Sequence, residues 1–384
     1  MGIRNLVFYI TDGSGHHQAA LALSNAIRKE SPSDDVLTMN CFHYTNPVLE
    51  KIVRKSYLNL IRTTPEVWEF LYDNHRIYRK IRQFRHLIHT YNSPVLGVLL
   101  RDYRPDMVVC TQAFPCGLLA DLKRSHAYNG LLVGVLTDFA SHCYWVYDEV
   151  DYYIVHHNAT KAKLVNQGVD SEKILTFGIP IDPVFSSRSV DCMRLYTELN
   201  FSKESFTILL TGGGRGVGSL EKAAHIIDSI DAPVQLMVVV GTNHALYRRL
   251  CRRKWRKPVR IFGYVNNMHM LMRISSIVIS KAGGLTVAEA LSLQIPLIIV
   301  SPIPGQEENN STFLTSQGCA FRVNAEEELI GEIKKIISQP SILQGVKKNM
   351  SVVSRPDAAV TFARYFMNRV SKEAAGVTDG YVST

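Results

Sequence analysis

Short runs of β-branched and aromatic residues alternate with helix-length amphipathic segments along almost the whole chain, and this rhythm constrains the fold more tightly than any other feature. Parallel strands need a crossover helix between each pair, and strands covered on both faces read as continuous apolar runs. Strand candidates lie at 6–10, 36–42, 107–111, 131–137, 152–156 and 174–177. A second series follows at 207–211, 235–240, 259–262, 277–280, 297–300 and 320–323. Between the two, at 182–205, strands stop and Pro, Ser and charged residues collect, which marks a linker. Each half predicts an open, doubly wound α/β sheet, and such sheets take ligands at the carboxyl ends of their strands. Two of them facing each other enclose a cleft.

Length agrees with this division, since 384 residues exceed one ordinary core and suit two domains. We expect an N-terminal domain over 1–185 with an insertion at 47–103, a linker at 186–205 and a C-terminal domain over 206–355. A last helix and tail at 356–384 would cross back to the first domain. Hydrophobic residues at 46% and charged residues at 20% exclude a disordered or fibrous chain. No apolar run approaches the ~20 residues of a membrane-spanning helix, and the start lacks the regions of a secretory signal. The seven cysteines are scattered without a C-x-x-C pair, so reduced thiols of an intracellular protein are expected, with no zinc site. No D-x-D or clustered histidines offer ligands to another metal.

The net charge of +9 is unevenly spread. Between Lys51 and Arg85 nine basic residues face three acids, and within 245–260 Arg248, Arg249, Arg252, Arg253, Lys254, Arg256, Lys257 and Arg260 face none. Such patches suit phospholipid headgroups, nucleic acid or substrate phosphates, or are simply solvated faces. In the insertion, helical spacing brings Tyr57, Leu58, Ile61, Trp68, Leu71, Tyr72 and Ile77 together among basic residues. That pattern fits a helix lying on an anionic membrane, or an ordinary amphipathic insertion packed on its domain.

Five motifs carry chemistry. The first, Thr11-Asp12-Gly13-Ser14-Gly15-His16-His17, follows the first strand and opens a helix; its small residues admit a ligand, and His16 projects at the strand end or else caps and packs. Gln18 at the third position breaks a dinucleotide fingerprint. The second, beginning Thr137-Asp138-Phe139 and running to Trp145, places Asp138 at a strand end, where it would take a proton from a hydroxyl or cap the next turn. The third, the loop 211–218 with Gly213 and Gly214, offers unobstructed amides to phosphate or sugar. The fourth is Lys281-Ala282-Gly283-Gly284-Leu285-Thr286 with Glu289, a strand end, a double glycine and a helix N-terminus suited to a diphosphate, with a carboxylate one turn on for ribose hydroxyls. The fifth is Pro304-Gly305-Gln306-Glu307, whose amide and carboxylate together supply donors and acceptors for sugar hydroxyls.

Together with Phe177-Gly178-Ile179-Pro180-Ile181 and Gly263-Tyr264-Val265, these motifs resemble the family 28 glycosyltransferases. They are most similar to the branch of monogalactosyldiacylglycerol synthases and bacterial processive diacylglycerol glucosyltransferases. The resemblance covers about residues 5 to 370, with Ser14 standing where the family commonly has another glycine. It implies a GT-B fold, an inverting hexosyltransferase, a UDP-sugar as co-substrate with no cofactor or essential metal, and a diacylglycerol-type lipid acceptor. The basic insertion and the lack of a signal or spanning run add the expectation of a cytoplasmic protein held peripherally on the cytoplasmic face of a membrane by anionic phospholipids, with no nucleic-acid partner. By position, the backbone near Tyr264 and Val265 would hold uracil, Glu289 the ribose, Gly283, Gly284, Leu285 and Thr286 the diphosphate, and Gln306 with Glu307 the hexose, with Gly213 and Gly214 also in the donor site. Gly15, His142, Trp145 and Trp68 would meet the acceptor, and either His16 or Asp138 would take its proton. A transferase acting on a lipid-linked cell-wall precursor or a soluble acceptor shares the donor half. A non-catalytic nucleotide-sugar sensor would share it too, but has no use for His16 and Asp138.

Overall fold

The computed structural model describes residues 2–45, 94–187 and 192–374. Trp68 and the basic run 51–85 lie outside the described residues. In the N-terminal half, β1 (Arg4–Tyr9), α1 (Gly15–Glu30), β2 (Asp35–Asn40) and α2 (Cys41–Thr45) are followed by a helix over 94–103, α3. Then come β3 (Met107–Cys110), α4 (Ala113–Arg124), β4 (Leu131–Val135), β5 (Tyr152–Ile154), α5 (Asn158–Asn166) and β6 (Ile174–Leu175). A short α6 (Met193–Leu199) leads to the second half. There β7 (Phe206–Thr211), α7 (Leu220–Ser229), β8 (Val234–Val239), α8 (His244–Cys251), β9 (Val259–Phe262), α9 (Met268–Arg273) and β10 (Ile277–Ser280) follow in turn. The chain continues through α10 (Gly284–Leu293), β11 (Leu297–Ile299), α11 (Gln306–Ser316), β12 (Ala320–Arg322), α12 (Leu329–Ser338), α13 (Ser341–Val353) and α14 (Ala358–Ala374).

All described pairings are parallel, in two six-stranded sheets of order β2-β1-β3-β4-β5-β6 and β12-β11-β10-β7-β8-β9. Strands such as β3 and β10 are buried along their whole length, which is why they read as apolar runs rather than alternating ones. The second strand was expected to reach Phe42 but ends at Asn40, whose side-chain oxygen accepts the His43 N–H at 3.2 Å and starts α2. Strands β4 and β5 also stop early, at Val135 and Ile154, which leaves Thr137, Asp138 and His156 in loops at the cleft.

The segment read as a linker is not bare. It contains a 3-10 turn, Pro183–Phe185, and α6, and Phe185, Leu195 and Leu199 are buried in the C-terminal core. The last helix does not stay with the half that precedes it. On α14, Phe362, Ala363, Phe366, Met367 and Val370 pack with Val7, Leu23 and Ile27 of β1 and α1, so the C-terminal helix completes one face of the N-terminal sheet.

The halves meet strand end to strand end. Gly13, after β1, lies against Gly214, after β7; Gln18 on α1 donates to the Tyr264 hydroxyl, after β9, at 3.2 Å; and Asp138, after β4, meets α11, which follows β11. The two sheets therefore run in the same order across the cleft, and edge strands β2 and β9 share one flank.

Candidate active site

The turn between β1 and α1 is strained to bring two histidines to the cleft. Thr11 and Gly13 both have φ of 69°, and Ser14 closes the turn by donating to the Thr11 carbonyl at 2.6 Å while accepting the His17 N–H at 3.3 Å. His17 is fixed locally: it stacks on Tyr9 at 4.2 Å and its Nδ1 accepts the Gly13 N–H at 3.1 Å. His16 faces the other way. Its Nδ1 lies 2.9 Å from the Thr111 carbonyl and 2.7 Å from the Thr137 hydroxyl, and Thr111 Oγ1 donates to the His16 carbonyl at 2.9 Å. A carbonyl can only accept, so Nδ1 carries the proton and Nε2 is left as the basic nitrogen. Burial pulls the His16 pKa down, only partly opposed by the charge of Asp138, which keeps the ring neutral.

Asp138 is buried and already engaged. Its Oδ1 accepts Asn310 Nδ2 at 3.0 Å and its Oδ2 accepts the Gln306 amide. Burial raises its pKa, with His16, the two amides and Lys281 acting in the opposite direction. Asn310 is fully buried and uses its whole amide: the second Nδ2 hydrogen goes to the Ala282 carbonyl at 3.0 Å, and Oδ1 accepts the Phe139 N–H at 2.9 Å. One side chain thus joins the loop after β4 to the glycine turn after β10. Phe139 adds an apolar contact, stacking on Phe313 of α11 at 5.2 Å.

Beyond β10, Ala282 has a φ of 64°, and Gly283 caps α10. The first N–H groups of that helix have no acceptor within it and point toward the cleft, with Thr286 beside them. One turn on, burial with Asp182 nearby pushes the Glu289 carboxyl up to about 8. Tyr264, whose backbone was expected at the base, is 47% exposed, and Val265 packs on the core below it.

A Cβ on Gly214 would come within 2.4 Å of the Gly13 carbonyl, and one on Gly284 within 2.0 Å of the Thr137 carbonyl, so the contact between the halves itself requires glycine at both positions. A Cβ added at Gly213 would meet nothing within 4 Å, and one at Gly283 would lie 3.7 Å from Glu307; these two remain open. Leu285 lies against Gly15, whose added Cβ would meet it at 3.3 Å. Glu307, expected at the hexose, has one oxygen paired with Lys281 and the other accepting the Ile303 N–H at 2.9 Å, which braces the loop. Gln306 points at Asp138. Trp145 was assigned to the acceptor, yet it is buried in the N-terminal core, its carbonyl accepting the Tyr153 hydroxyl at 2.7 Å. His142 remains at the wall, its ring 6.2 Å from that of Trp145 and its pKa pushed down to about 3, chiefly by burial.

Residues 16–181 match the family described as monogalactosyldiacylglycerol (MGDG) synthase, and residues 207–362 match the glycosyltransferase family 28 C-terminal domain. Processive diacylglycerol beta-glucosyltransferases from Bacillus cytotoxicus and Bacillus cereus strain AH187 are each 30% identical over 351 residues, 90% of this chain and 89% of theirs. The chain is a family 28 glycosyltransferase. It belongs to the branch that holds those diacylglycerol enzymes. Solved structures share the fold at low identity: Acinetobacter baumannii MurG has a TM-score of 0.61 at 12% identity, over 96% of this chain and 99% of that one. The UDP-GlcNAc 2-epimerase from Neisseria meningitidis has 0.63 at 13%, over 95% and 100%. The architecture is GT-B, two doubly wound sheets facing a cleft.

In this glycosyltransferase the residues that sequence reasoning missed are supports. Thr111 stands at the end of β3 and holds both the ring and the backbone of His16. Asn310 lies one turn beyond Gln306, on the same helix. Lys281, quoted in its motif without a role, is the partner of Glu307. The strand-end rule pointed to Thr111; nothing local marked Asn310. Among the described residues no group of three His, Cys, Asp or Glu is placed to hold a metal, and no helix is long and apolar enough to cross a membrane.

Proposed function

We propose that this glycosyltransferase transfers a hexose from a UDP-sugar to the free hydroxyl of a diacylglycerol-type lipid, with inversion at the anomeric carbon and His16 as the base. The observation that carries the reading is the fixed tautomer of His16, whose Nδ1 is held by Thr111 and Thr137, which leaves Nε2 as the basic nitrogen next to Gly15, the residue that packs on Leu285 in the first turn of α10. In the step, the lipid O–H proton passes to Nε2 as its oxygen bonds to the anomeric carbon. The bond from that carbon to the diphosphate breaks, and its electron pair leaves with UDP. The α10 amides and Thr286 stabilise the charge that grows on the diphosphate, and Glu289 accepts from the ribose hydroxyls.

Asp138 has both oxygens engaged by amides, which disfavours a covalent sugar on that carboxylate and supports a single displacement. Its charge favours the imidazolium that forms. The lipid acceptor is supported by the names of the relatives and by the match over 16–181. Peripheral attachment through the basic run 51–85 rests on sequence.

The test is transfer from UDP-glucose, UDP-galactose and UDP-N-acetylglucosamine to diacylglycerol in vesicles, with the anomer of the product read by NMR. A β-linked glycolipid from an α-linked donor is expected. Retention of configuration, or transfer only to soluble acceptors, refutes the reading.

A further inference from the structure

The turn that carries His16 touches the C-terminal half at three successive places. Gly13 lies against Gly214, Gly15 against Leu285, and Gln18 Nε2 donates to the Tyr264 hydroxyl at 3.2 Å. Gly214, Tyr264 and Leu285 stand on three separate segments, which follow β7, β9 and β10. The same three segments carry residues expected to hold the UDP-sugar, so one set of loops meets both the donor and the turn that bears the base.

Those loops are themselves nested. The Thr242 N–H donates to the Gly214 carbonyl at 2.9 Å, and a Cβ on Gly241 would come within 2.2 Å of that same carbonyl. The loops after β7 and β8 thus leave no room for a side chain between them, and Gly263, after β9, lies alongside, its added Cβ 3.7 Å from the Gly241 carbonyl. The His16 turn rests on the edge of this layer.

The joint between the halves is uneven. Around Asp138 it is deeply buried: Asn310 and Phe139 are at most 2% exposed, and Phe139 packs within the C-terminal core. At the first turn of α1 it is made by glycine backbone and by the bond from Gln18 to Tyr264, a residue 47% exposed. Backbone contacts between glycines set a closest approach but do not oppose separation, whereas a hydrogen bond has both a direction and a length. His16 and Gln18 share one helical turn, so α1 carries them as a single body.

We propose that Gln18 is a positioning residue for the transfer: by holding the Tyr264 hydroxyl it fixes the distance between the basic nitrogen of His16 and the donor site. The inference rests on the reading of His16 as the base.

The experiment measures turnover with diacylglycerol in detergent micelles and UDP affinity by calorimetry. Gln18→Ala and Tyr264→Phe should each lower kcat by roughly tenfold with UDP affinity within about twofold of the wild type, and the double variant should lose no more than either single one. Gln18→Glu should restore most of the rate, because its carboxylate accepts the Tyr264 O–H. The acid limb of the rate profile should stay in place in Gln18→Ala and Tyr264→Phe, since burial, Asp138 and the Thr111 carbonyl still surround His16. A limb that climbs toward 6.5 shows that the turn itself has come apart and overturns the proposal. Wild-type kcat in Gln18→Ala, equal losses in kcat and UDP affinity, or losses that multiply in the double variant overturn it as well. Wild-type turnover in His16→Ala removes the base reading and this inference with it, whereas a slow His16→Ala beside a wild-type Gln18→Ala removes this inference alone.

Discussion

His16 and His17 are adjacent in sequence, and their surroundings give them opposite tasks. His17 has its ring stacked and its Nδ1 occupied by local groups, whereas His16 is held by Thr111 and Thr137 from two other strand ends. Replacing His16 by Ala should lower kcat by about 10²–10⁴ with little change in UDP affinity by calorimetry, because a positioned base contributes that much. Because burial lowers the His16 pKa, the acid limb of the rate profile should fall below the ordinary value of 6.5, and Asp138→Asn, which removes the opposing charge, should move it further to acid. A limb above 6.5 contradicts this assignment. Glu289 is shifted upward, so relative to the unfolded chain its stabilising contribution is complete below pH 4.5 and is lost as pH rises through about 8. Glu289→Gln should therefore raise the unfolding free energy at pH 9 by on the order of 1 kcal/mol after allowance for solvent, with no gain at pH 4, in paired thermal melts. His16 was legible because it sits just past an obvious strand. The true state of Glu307 was not, since it depends on Lys281, which local spacing does not connect to it, and Trp145 looks surface-ready until Tyr153 is seen beneath it.

At the scale of elements, the proposed reaction gives the N-terminus of α10 the task that a divalent cation performs on a diphosphate in other enzymes. Transfer should continue in EDTA at a rate within about twofold of the untreated protein, given that helix amides stabilise the leaving group. Loss of turnover restored by magnesium or manganese would assign that task to a metal. Helix α14 is the other element with a task beyond its own half. Phe366 is fully buried beneath it, and Phe366→Ala should cost about 3–5 kcal/mol in denaturant unfolding, felt in the N-terminal half although the residue is C-terminal in sequence. All twelve described strands were visible in the sequence, the central ones such as β3 and β10 because burial on both faces writes an uninterrupted apolar run. Helix α6 was not: its seven residues are held by burying Leu195 and Leu199 in a core assembled from distant strands, and composition there reads only as Pro, Ser and charge.

For the whole molecule, the decisive link is Asn310, whose amide ties the acceptor-side loop to the donor-side turn through three hydrogen bonds. Asn310→Ala leaves buried groups unpaired on both sides, at about 1–3 kcal/mol for each. Its kcat should fall at least tenfold, while UDP binding, which the proposed site assigns to the C-terminal half, should be retained in calorimetry. Equal losses in UDP affinity and turnover would place its role within the C-terminal half alone. The return of α14 to the first sheet also bears on how the chain is made. On the ribosome the N-terminal sheet is synthesised first, and the helix that covers its Val7 and Leu23 face is synthesised after every strand of the second sheet. The N-terminal half therefore waits, with an apolar face open to chaperones or to a neighbouring nascent chain, until translation of the C-terminal half has ended.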